Sequence, residues 1–188
     1  FDTDRLTKLR QGCLLVNAAR GEVVDNQALL ALLKQRDDLS VFLDTWENEP
    51  SISRELLGAV DLATPHIAGY SVEGRLRGTQ MILDATCDYF AKTSTWRLQQ
   101  LLPQASRLEV KPADTKLEFW QNLFQAHFNI WRDDAALRLG MNDDEFERHF
   151  DSLRRVYPDR LEYPLFELQG VDENTAAVAR GLHFKLAY

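Results

Sequence analysis

The first third of the chain alternates short apolar runs with amphipathic segments. Short apolar runs between turn signals are typical of strands buried in a parallel sheet, and apolar positions three and four apart are typical of helices. The predicted elements, in chain order, are a helix at 4–10 ended by Gly12, a strand at 13–17, a helix capped by Asp25 with apolar positions 28, 29, 32 and 33 on one face, a strand at 41–44, a short helix at 54–57 and a strand at 61–64 ended by Pro65. Strands that alternate with helices predict a doubly wound α/β sheet.

The remainder of the chain has longer helical patterns and fewer strands. A helix is predicted from Ser71, its N-cap, to Trp96, and the stretch 99–112 is predicted to be a linker because it contains two prolines and scattered polar residues. Further on, the pattern predicts one helix face formed by Leu117, Trp120, Phe124, Phe128 and Trp131, a helix at 142–155 with Asn142 as N-cap and Glu145 as capping-box partner, and weak strands at 163–168 and 182–186.

Composition and charge narrow the class of protein. The formal net charge is −7 and no long basic run is present, which argues against nucleic acid as a partner. No apolar run approaches the roughly 18 residues of a membrane span, and no secretory signal opens the chain, so we expect a cytoplasmic protein with no membrane partner. Cys13 and Cys87 form no CxxC motif, and we predict neither a disulfide framework nor a metal site.

Polar side chains follow the end of each predicted strand in the first third. Arg20 follows the first strand, Asp44 ends the second with Glu49 in the loop after it, and His66 follows the third. Because the carboxyl ends of parallel strands meet at one edge of a sheet, we expect these side chains to lie together. An arginine binds a carboxylate and polarises a carbonyl, a histidine exchanges a proton, and a neighbouring carboxylate orients that histidine. The set suits hydride transfer between a nicotinamide and a 2-hydroxy or 2-oxo acid.

Each of these residues also has a structural interpretation. An arginine after a strand is usually a surface residue, and a single histidine is usually packed or capping. Glu49 and Pro50 are typical of a solvated acidic turn. Asp44 is equally suited to capping the segment that follows it. The combination is more specific than any member of it.

Three blocks of this sequence carry a family resemblance. LRQGCLLVNAARGEVVDNQAL, LDTWENEP and TPHIAGY resemble, in order and separation, the signatures of the D-2-hydroxyacid dehydrogenase family. The resemblance implies NAD as cofactor, Arg20 as the substrate-binding residue, His66 as the acid/base and Glu49 as its partner. It also implies that Asp44, Gly69 and the segment of Ala18, Ala19 and Arg20 contact NAD.

The resemblance also implies a fold and a domain organisation. Residues 1–69 are expected to form the second half of a Rossmann-type NAD-binding domain, and 70–96 a long helix that returns to the substrate domain. Residues 97–188 resemble a small α+β dimerisation domain found in one branch of the family, which implies a homodimer. The aromatic residues of this last region suit either an interior core or a shared interface.

The substrate is the least determined feature. The block GYSVEGRLRGT is similar to the same branch, whose substrate is phosphorylated, and implies that Tyr70 contacts that substrate. Arg75 and Arg77 lie in the first turns of the long helix, where anions bind favourably, but they are equally suited to pairing with Glu73 or Asp84. Another phosphorylated hydroxyacid dehydrogenase, such as phosphoglycerate dehydrogenase, and a non-enzymatic NAD-sensing corepressor remain alternatives.

One part of the family pattern is missing from this sequence. The family binds the pyrophosphate of NAD on a GxGxxG turn between a strand and a helix, and no such turn occurs here. The resemblance therefore covers the C-terminal half of the family's enzyme. We expect further residues upstream of Phe1, and we expect the chain alone to be inactive.

Overall fold

The computed structural model describes residues 1–187, which form two compact units. One unit comprises Phe1–Ala68 together with Ile130–Tyr157, and the other comprises Gly69–Asn129 together with the residues from Pro158 onward. The helices are α1 Thr3–Leu6, α2 Asn26–Leu33, α3 Arg54–Ala59, α4 Val72–Tyr89, α5 Lys116–His127, α6 Ile130–Leu139, α7 Phe146–Arg155 and α8 Glu173–Gly181. The strands are β1 Leu14–Asn17, β2 Ser40–Leu43, β3 Leu62–Ala63, β4 Ser106–Arg107, β5 Phe166–Leu168 and β6 Lys185–Leu186.

The first unit contains a parallel sheet in the order β1-β2-β3. Helices α2 and α3 begin where predicted, because the carboxylate of Asp25 accepts from the Ala28 N–H at 2.8 Å and Ser53 Oγ accepts from the Leu56 N–H at 3.1 Å. The two helices also pack against each other. The α/β class and the parallel sheet are therefore confirmed.

Helices α6 and α7 complete the core of this first unit. Leu137, Phe146 and Phe150 are almost fully buried and belong to the same apolar cluster as the residues of the β1-β2-β3 sheet. The sequence did not indicate this arrangement, because the predicted boundary at 97 places these helices in a separate C-terminal part. The boundaries at 69 and 96 stay predictions, but residues 130–157 pack with residues 1–68.

The second unit has its own parallel sheet, in the order β4-β5-β6. Its core contains Leu123, Leu168, Ala179 and Phe184, with Phe119 and Trp120 of α5 packed against them. The two weak strands predicted in the tail are present in shorter form, as β5 and β6. Within this unit α4 is the longest helix, with 18 residues.

Three details of the helix predictions are wrong. The long helix ends at Tyr89 rather than Trp96, and Ala91, just beyond it, has a positive φ of 49° that no continuing helix allows. The predicted single aromatic face is divided between α5 and α6, because Phe128 has the extended values φ −157° and ψ 109°. Helix α7 begins at Phe146 with Glu145 as an N-cap that makes no side-chain capping bond, so the capping box at Asn142 does not form.

Candidate active site

Glu49 and His66 form the centre of the site in the first unit. The distance between Glu49 Oε2 and His66 Nδ1 is 2.7 Å, and the two side chains are 17% and 22% exposed. The other oxygen, Oε1, accepts from the Trp46 N–H at 2.8 Å, which fixes the carboxylate. Because a carboxylate only accepts, His66 Nδ1 donates, and in the neutral form of the imidazole Nε2 is then the acceptor. The pairing of these two residues has the geometry that proton transfer requires.

Asp44 organises the loop that carries His66. Its carboxylate, 9% exposed, accepts from Thr64 Oγ1 at 2.6 Å, from the Ile67 N–H at 2.8 Å and from the Ala68 N–H at 3.0 Å. Its carbonyl accepts from the His66 N–H at 2.7 Å. The structural interpretation of Asp44 therefore has direct support, whereas its contact with NAD stays a prediction.

His66 has a backbone conformation that few histidines adopt. Its φ is +54°, in the left-handed region, where a side chain with a Cβ is disfavoured. The hydrogen bonds to Asp44 on both sides of His66 hold the loop in this conformation. Uncommon backbone conformations of this kind occur preferentially at functional sites.

Arg20 lies in an exposed loop at the end of β1. Asn17 shapes this loop, since its Nδ2 donates to the Arg20 carbonyl at 2.9 Å and its Oδ1 accepts from the Ala19 N–H at 3.2 Å. Arg20 itself is extended, and its guanidinium donates to the Ala19 carbonyl at 2.6 Å. Within residues 1–187 the guanidinium makes no ion pair. The side chain is thus exposed to solvent at the sheet edge, and its role as substrate-binding residue stays a prediction.

The residues after His66 that are predicted to contact NAD or substrate belong to the second unit. Gly69 has φ +80° and Ser71 caps α4, as predicted, with its Oγ accepting from the Gly74 N–H at 3.0 Å. The Arg75 guanidinium pairs with Asp159 at 2.9 Å, and both side chains are more than half exposed. Arg75 therefore forms an ion pair on the surface, but its partner is Asp159 and not Glu73 or Asp84. Binding of substrate by Tyr70 and Arg75 stays a prediction.

Two residues of the site were missed at the sequence level. Asn17 holds the arginine loop and Thr64 connects the third strand to Asp44, and both are buried. A polar residue at the end of an otherwise apolar strand was the available signal in both cases, because a buried polar side chain needs a hydrogen-bond partner.

Two findings concern the described residues as a whole. No group of three or more His, Cys, Asp or Glu residues within 1–187 is arranged to hold a metal ion. Among the helices in that range, none combines the length and the apolar character needed to cross a bilayer.

Comparison with protein families assigns residues 1–68 to a class. They match the family model described as "D-isomer specific 2-hydroxyacid dehydrogenase, NAD binding domain". These residues are therefore similar to part of the NAD-binding domain of that family. The predicted resemblance to the family and the predicted cofactor class are confirmed.

Curated relatives extend the similarity over nearly the whole chain. The erythronate-4-phosphate dehydrogenase of Marinobacter nauticus is 43% identical over 187 residues, which cover 96% of this chain and 49% of that protein. Enzymes with the same name from Pseudomonas fluorescens and Proteus mirabilis are each 40% identical, over 96% and 100% of this chain and 48% and 50% of their own length. The chain therefore spans about half the length of the curated relatives it matches.

The described residues fit the nicotinamide side of a dinucleotide site. Three parallel strands end at one edge, where Ala18, Ala19 and Arg20 are exposed and His66 keeps an acceptor nitrogen. In open parallel sheets this edge is where dinucleotides bind. The glycine-rich turn that binds the pyrophosphate is not part of this sequence.

Proposed function

We propose that the chain is the C-terminal half of an NAD-dependent dehydrogenase that oxidises 4-phospho-D-erythronate to the corresponding 2-oxo acid, a step towards pyridoxal 5′-phosphate. The observation that carries the proposal is the 2.7 Å contact between Glu49 and His66 within the NAD-binding family match. The names of the relatives support the substrate. We also propose that the enzyme acts in the cytoplasm.

The proposed reaction assigns one role to each residue. Bound NAD, held where Ala18, Ala19 and Arg20 lie, would supply the acceptor for the hydride that leaves C2 of the hydroxy acid. His66 Nε2 accepts the proton of the 2-hydroxyl group, so the alcohol loses one hydride and one proton and becomes a carbonyl. Glu49 holds the imidazole through Nδ1 and stabilises the imidazolium that forms. Arg20 binds the substrate carboxylate and lies close to the oxygen on which charge develops.

The phosphate of the substrate is proposed to bind near the start of α4. Helix N-termini attract anions through unpaired N–H groups and the helix dipole, and Arg75 lies within the first turns. Its exposed pairing with Asp159 is of a kind that contributes about 0–1 kcal/mol, so a phosphate can displace the carboxylate at little cost. Tyr70, immediately before Ser71, is proposed to contact the same substrate.

The remaining proposals concern the whole protein. Helix α4 is proposed to return to a substrate domain, since Ile82 and Tyr89 on one face of it are 71% and 84% exposed and Met81 beside that face is 65% exposed. An apolar stripe of this kind on a helix is usually covered in the complete protein. The C-terminal region is proposed to form a homodimer.

Purified full-length enzyme provides the test. With 4-phospho-D-erythronate and NAD, we expect NADH to form, as followed by absorbance, and we expect the His66→Gln variant to lose about 10²–10⁴-fold in kcat/KM.

Arg75→Ala should raise KM for the phosphorylated substrate and leave KM for unphosphorylated erythronate unchanged. Faster turnover of 3-phosphoglycerate would identify the rival substrate, and NAD binding without turnover of any hydroxy acid would favour the corepressor alternative.

A further inference from the structure

Helix α6 binds the outer edge of the strand that leads to His66. Asp134, which is 9% exposed, accepts from the Ala63 N–H through Oδ1 at 2.7 Å. On its inner side the same strand pairs with β2, since the Thr64 N–H donates to the Leu43 carbonyl at 2.9 Å. A carboxylate thus occupies the position at which a further strand would accept a hydrogen bond.

Arg138 holds that carboxylate in place. Its Nε lies 3.0 Å from both oxygens of Asp134, four residues earlier on α6. Its two terminal nitrogens donate to the carbonyls of Leu57 at 2.6 Å and Val60 at 3.0 Å, at the C-terminal end of α3. The guanidinium therefore fixes α6 to the helix that precedes β3 while Asp134 fixes it to β3 itself.

The strand fixed in this way is very short and leads directly to the catalytic loop. β3 contains only two residues, Leu62 and Ala63. Ala63 is followed by Thr64, which donates to Asp44, and then by Pro65 and His66. A displacement of Ala63 is consequently transmitted within three peptide units to the imidazole, and a displacement of about 1 Å at a reacting group can cost up to ~10²-fold in rate.

We propose that Asp134 is a positioning residue of the active site, and that Arg138 supports it by orienting its carboxylate. The proposal rests on the proposed function only in taking His66 as the acid/base. The family match ends at residue 68, whereas α6 lies well beyond it. A segment outside the common NAD-binding domain thereby becomes part of the scaffold that orients the catalytic histidine.

Variants at Asp134 separate positioning from stability. In full-length enzyme, Asp134→Ala removes the acceptor of the Ala63 N–H, and we expect kcat to fall by about tenfold. The KM for NAD should stay within about twofold of the wild-type value. The acidic limb of the pH profile of kcat/KM should be displaced. Asp134→Asn keeps an oxygen that accepts from Ala63, and it should restore most of the rate. Arg138→Lys cannot make all the bonds of the guanidinium and should produce a smaller change in the same direction.

Two control variants accompany these. Arg148→Ala removes a different arginine of the same unit, one whose ion pair with Glu145 is exposed, and it should leave kcat and the pH profile unchanged. Leu32→Ala truncates a buried side chain in α2 and should lower the melting temperature without displacing the pH profile.

NMR of His66 tests the positioning role of Asp134 without a measurement of enzyme turnover. The His66 resonance, assigned with His66→Gln, should titrate differently in Asp134→Ala and as in the wild type in Asp134→Asn. Unchanged kcat and titration in Asp134→Ala, or equal changes in Leu32→Ala, would overturn the positioning role. If the wild-type enzyme oxidised no hydroxy acid, the proposed function would fail, while the NMR comparison would still test the contact between α6 and the histidine loop.

Discussion

Gly21 is the residue at which the loop after β1 meets the loop after β2. A Cβ at this position would overlap with the carbonyl of Trp46. Arg20 precedes Gly21, and the Trp46 N–H donates to Glu49. The absence of a side chain therefore keeps the arginine loop against the loop that carries Glu49.

Replacing Gly21 with alanine should be harmful to both stability and activity. Relief of the overlap has to move one backbone segment, so we expect Gly21→Ala to lower the free energy of unfolding by about 1–3 kcal/mol and to reduce kcat/KM. Urea denaturation and steady-state kinetics measure the two effects. Gly58→Ala is the matched control, because nothing lies within 4 Å of its added Cβ in α3, and it should be neutral or stabilise by up to about 1 kcal/mol.

His127 is a second residue whose surroundings have a measurable consequence. In the second unit it packs on Tyr163 and Phe166, with ring centroids 4.5 and 4.9 Å away, and its Nε2 lies 3.0 Å from the Leu161 carbonyl. Burial lowers the pKa of His127 below its usual 6.5, and Arg160 acts in the same direction, while the Leu161 carbonyl and Glu162 oppose them. The folded state therefore favours the neutral imidazole.

The lowered pKa of His127 makes the stability of the folded chain depend on pH. Between the lowered folded pKa and 6.5 the unfolded chain binds more protons than the folded chain, so stability increases with pH in that window. We expect the melting temperature of the second unit to fall as the pH drops below about 6.5, and His127→Gln to weaken this dependence. His183→Asn, at an exposed position with φ +66°, should leave the pH dependence unchanged. An identical pH profile in His127→Gln would contradict the assignment.

At the scale of single elements, α4 has an unusual distribution of side chains. Its buried residues are polar, Glu73 and Gln80, whereas Met81, Ile82 and Tyr89 are exposed. Ile82 and Tyr89 lie on one face, because positions seven apart share a side of a helix, and Met81 lies beside this face. The face is suited to packing on a part of the protein outside this chain.

Ile82→Glu tests the role of that face. In the full-length enzyme the change should lower the melting temperature and the activity, because a carboxylate would be buried without a partner. In the 188-residue chain, where Ile82 is 71% exposed, the same change should have little effect on stability. Asp88→Lys, at an exposed position on a different side of α4 from Ile82 and Tyr89, is the control and should be tolerated in both. Equal tolerance of Ile82→Glu in both proteins would refute a covered face.

Elements with local signals were predictable from the sequence, and those set by distant contacts were not. The first sheet followed from its apolar runs, and the starts of α2 and α4 followed from Asp25 and Ser71, which do cap them. The break between α5 and α6 has no glycine or proline to mark it. Phe128 leaves the helix where its ring lies under the Arg160 guanidinium, at 4.4 Å, a contact with a residue far along the chain.

The candidate site shows the same division. The pairing of Glu49 with His66 was predicted, because both follow neighbouring strand ends. The three hydrogen bonds to the Asp44 carboxylate were not, because they depend on the course of the loop after β3. Asp134 gave no signal, since its partner Ala63 lies 71 positions earlier.

At the scale of the whole molecule, the first unit is assembled from two separate segments. Residues 130–157 supply Leu137, Phe146 and Phe150 to its core. Complete burial of such side chains contributes about 1.5–3 kcal/mol each. Removing all three would cost on the order of 5 kcal/mol or more, which is comparable to the net stability of a typical domain.

Deletion of residues 97–188 should therefore do more than remove the region proposed to form a dimer. We expect the remaining protein to lose protection from hydrogen exchange in β2 and β3, because the core that α6 and α7 complete is opened. A deletion that begins at Pro158 removes β5, α8 and β6 and retains both helices, so it should preserve that protection. Equal protection after both deletions would show that the first unit does not need α6 and α7. Sedimentation of the second variant then tests the homodimer with the first unit still intact.

The two-segment construction of the first unit also determines when this part of the protein can fold. A ribosome releases residues 1–68 well before it releases 130–157, so the early sheet emerges without the helices that cover it. Contacts between segments so distant in sequence form slowly, since a long loop has to close first. During synthesis the outer edge of β3 is consequently open to other strands until Asp134 arrives to occupy it.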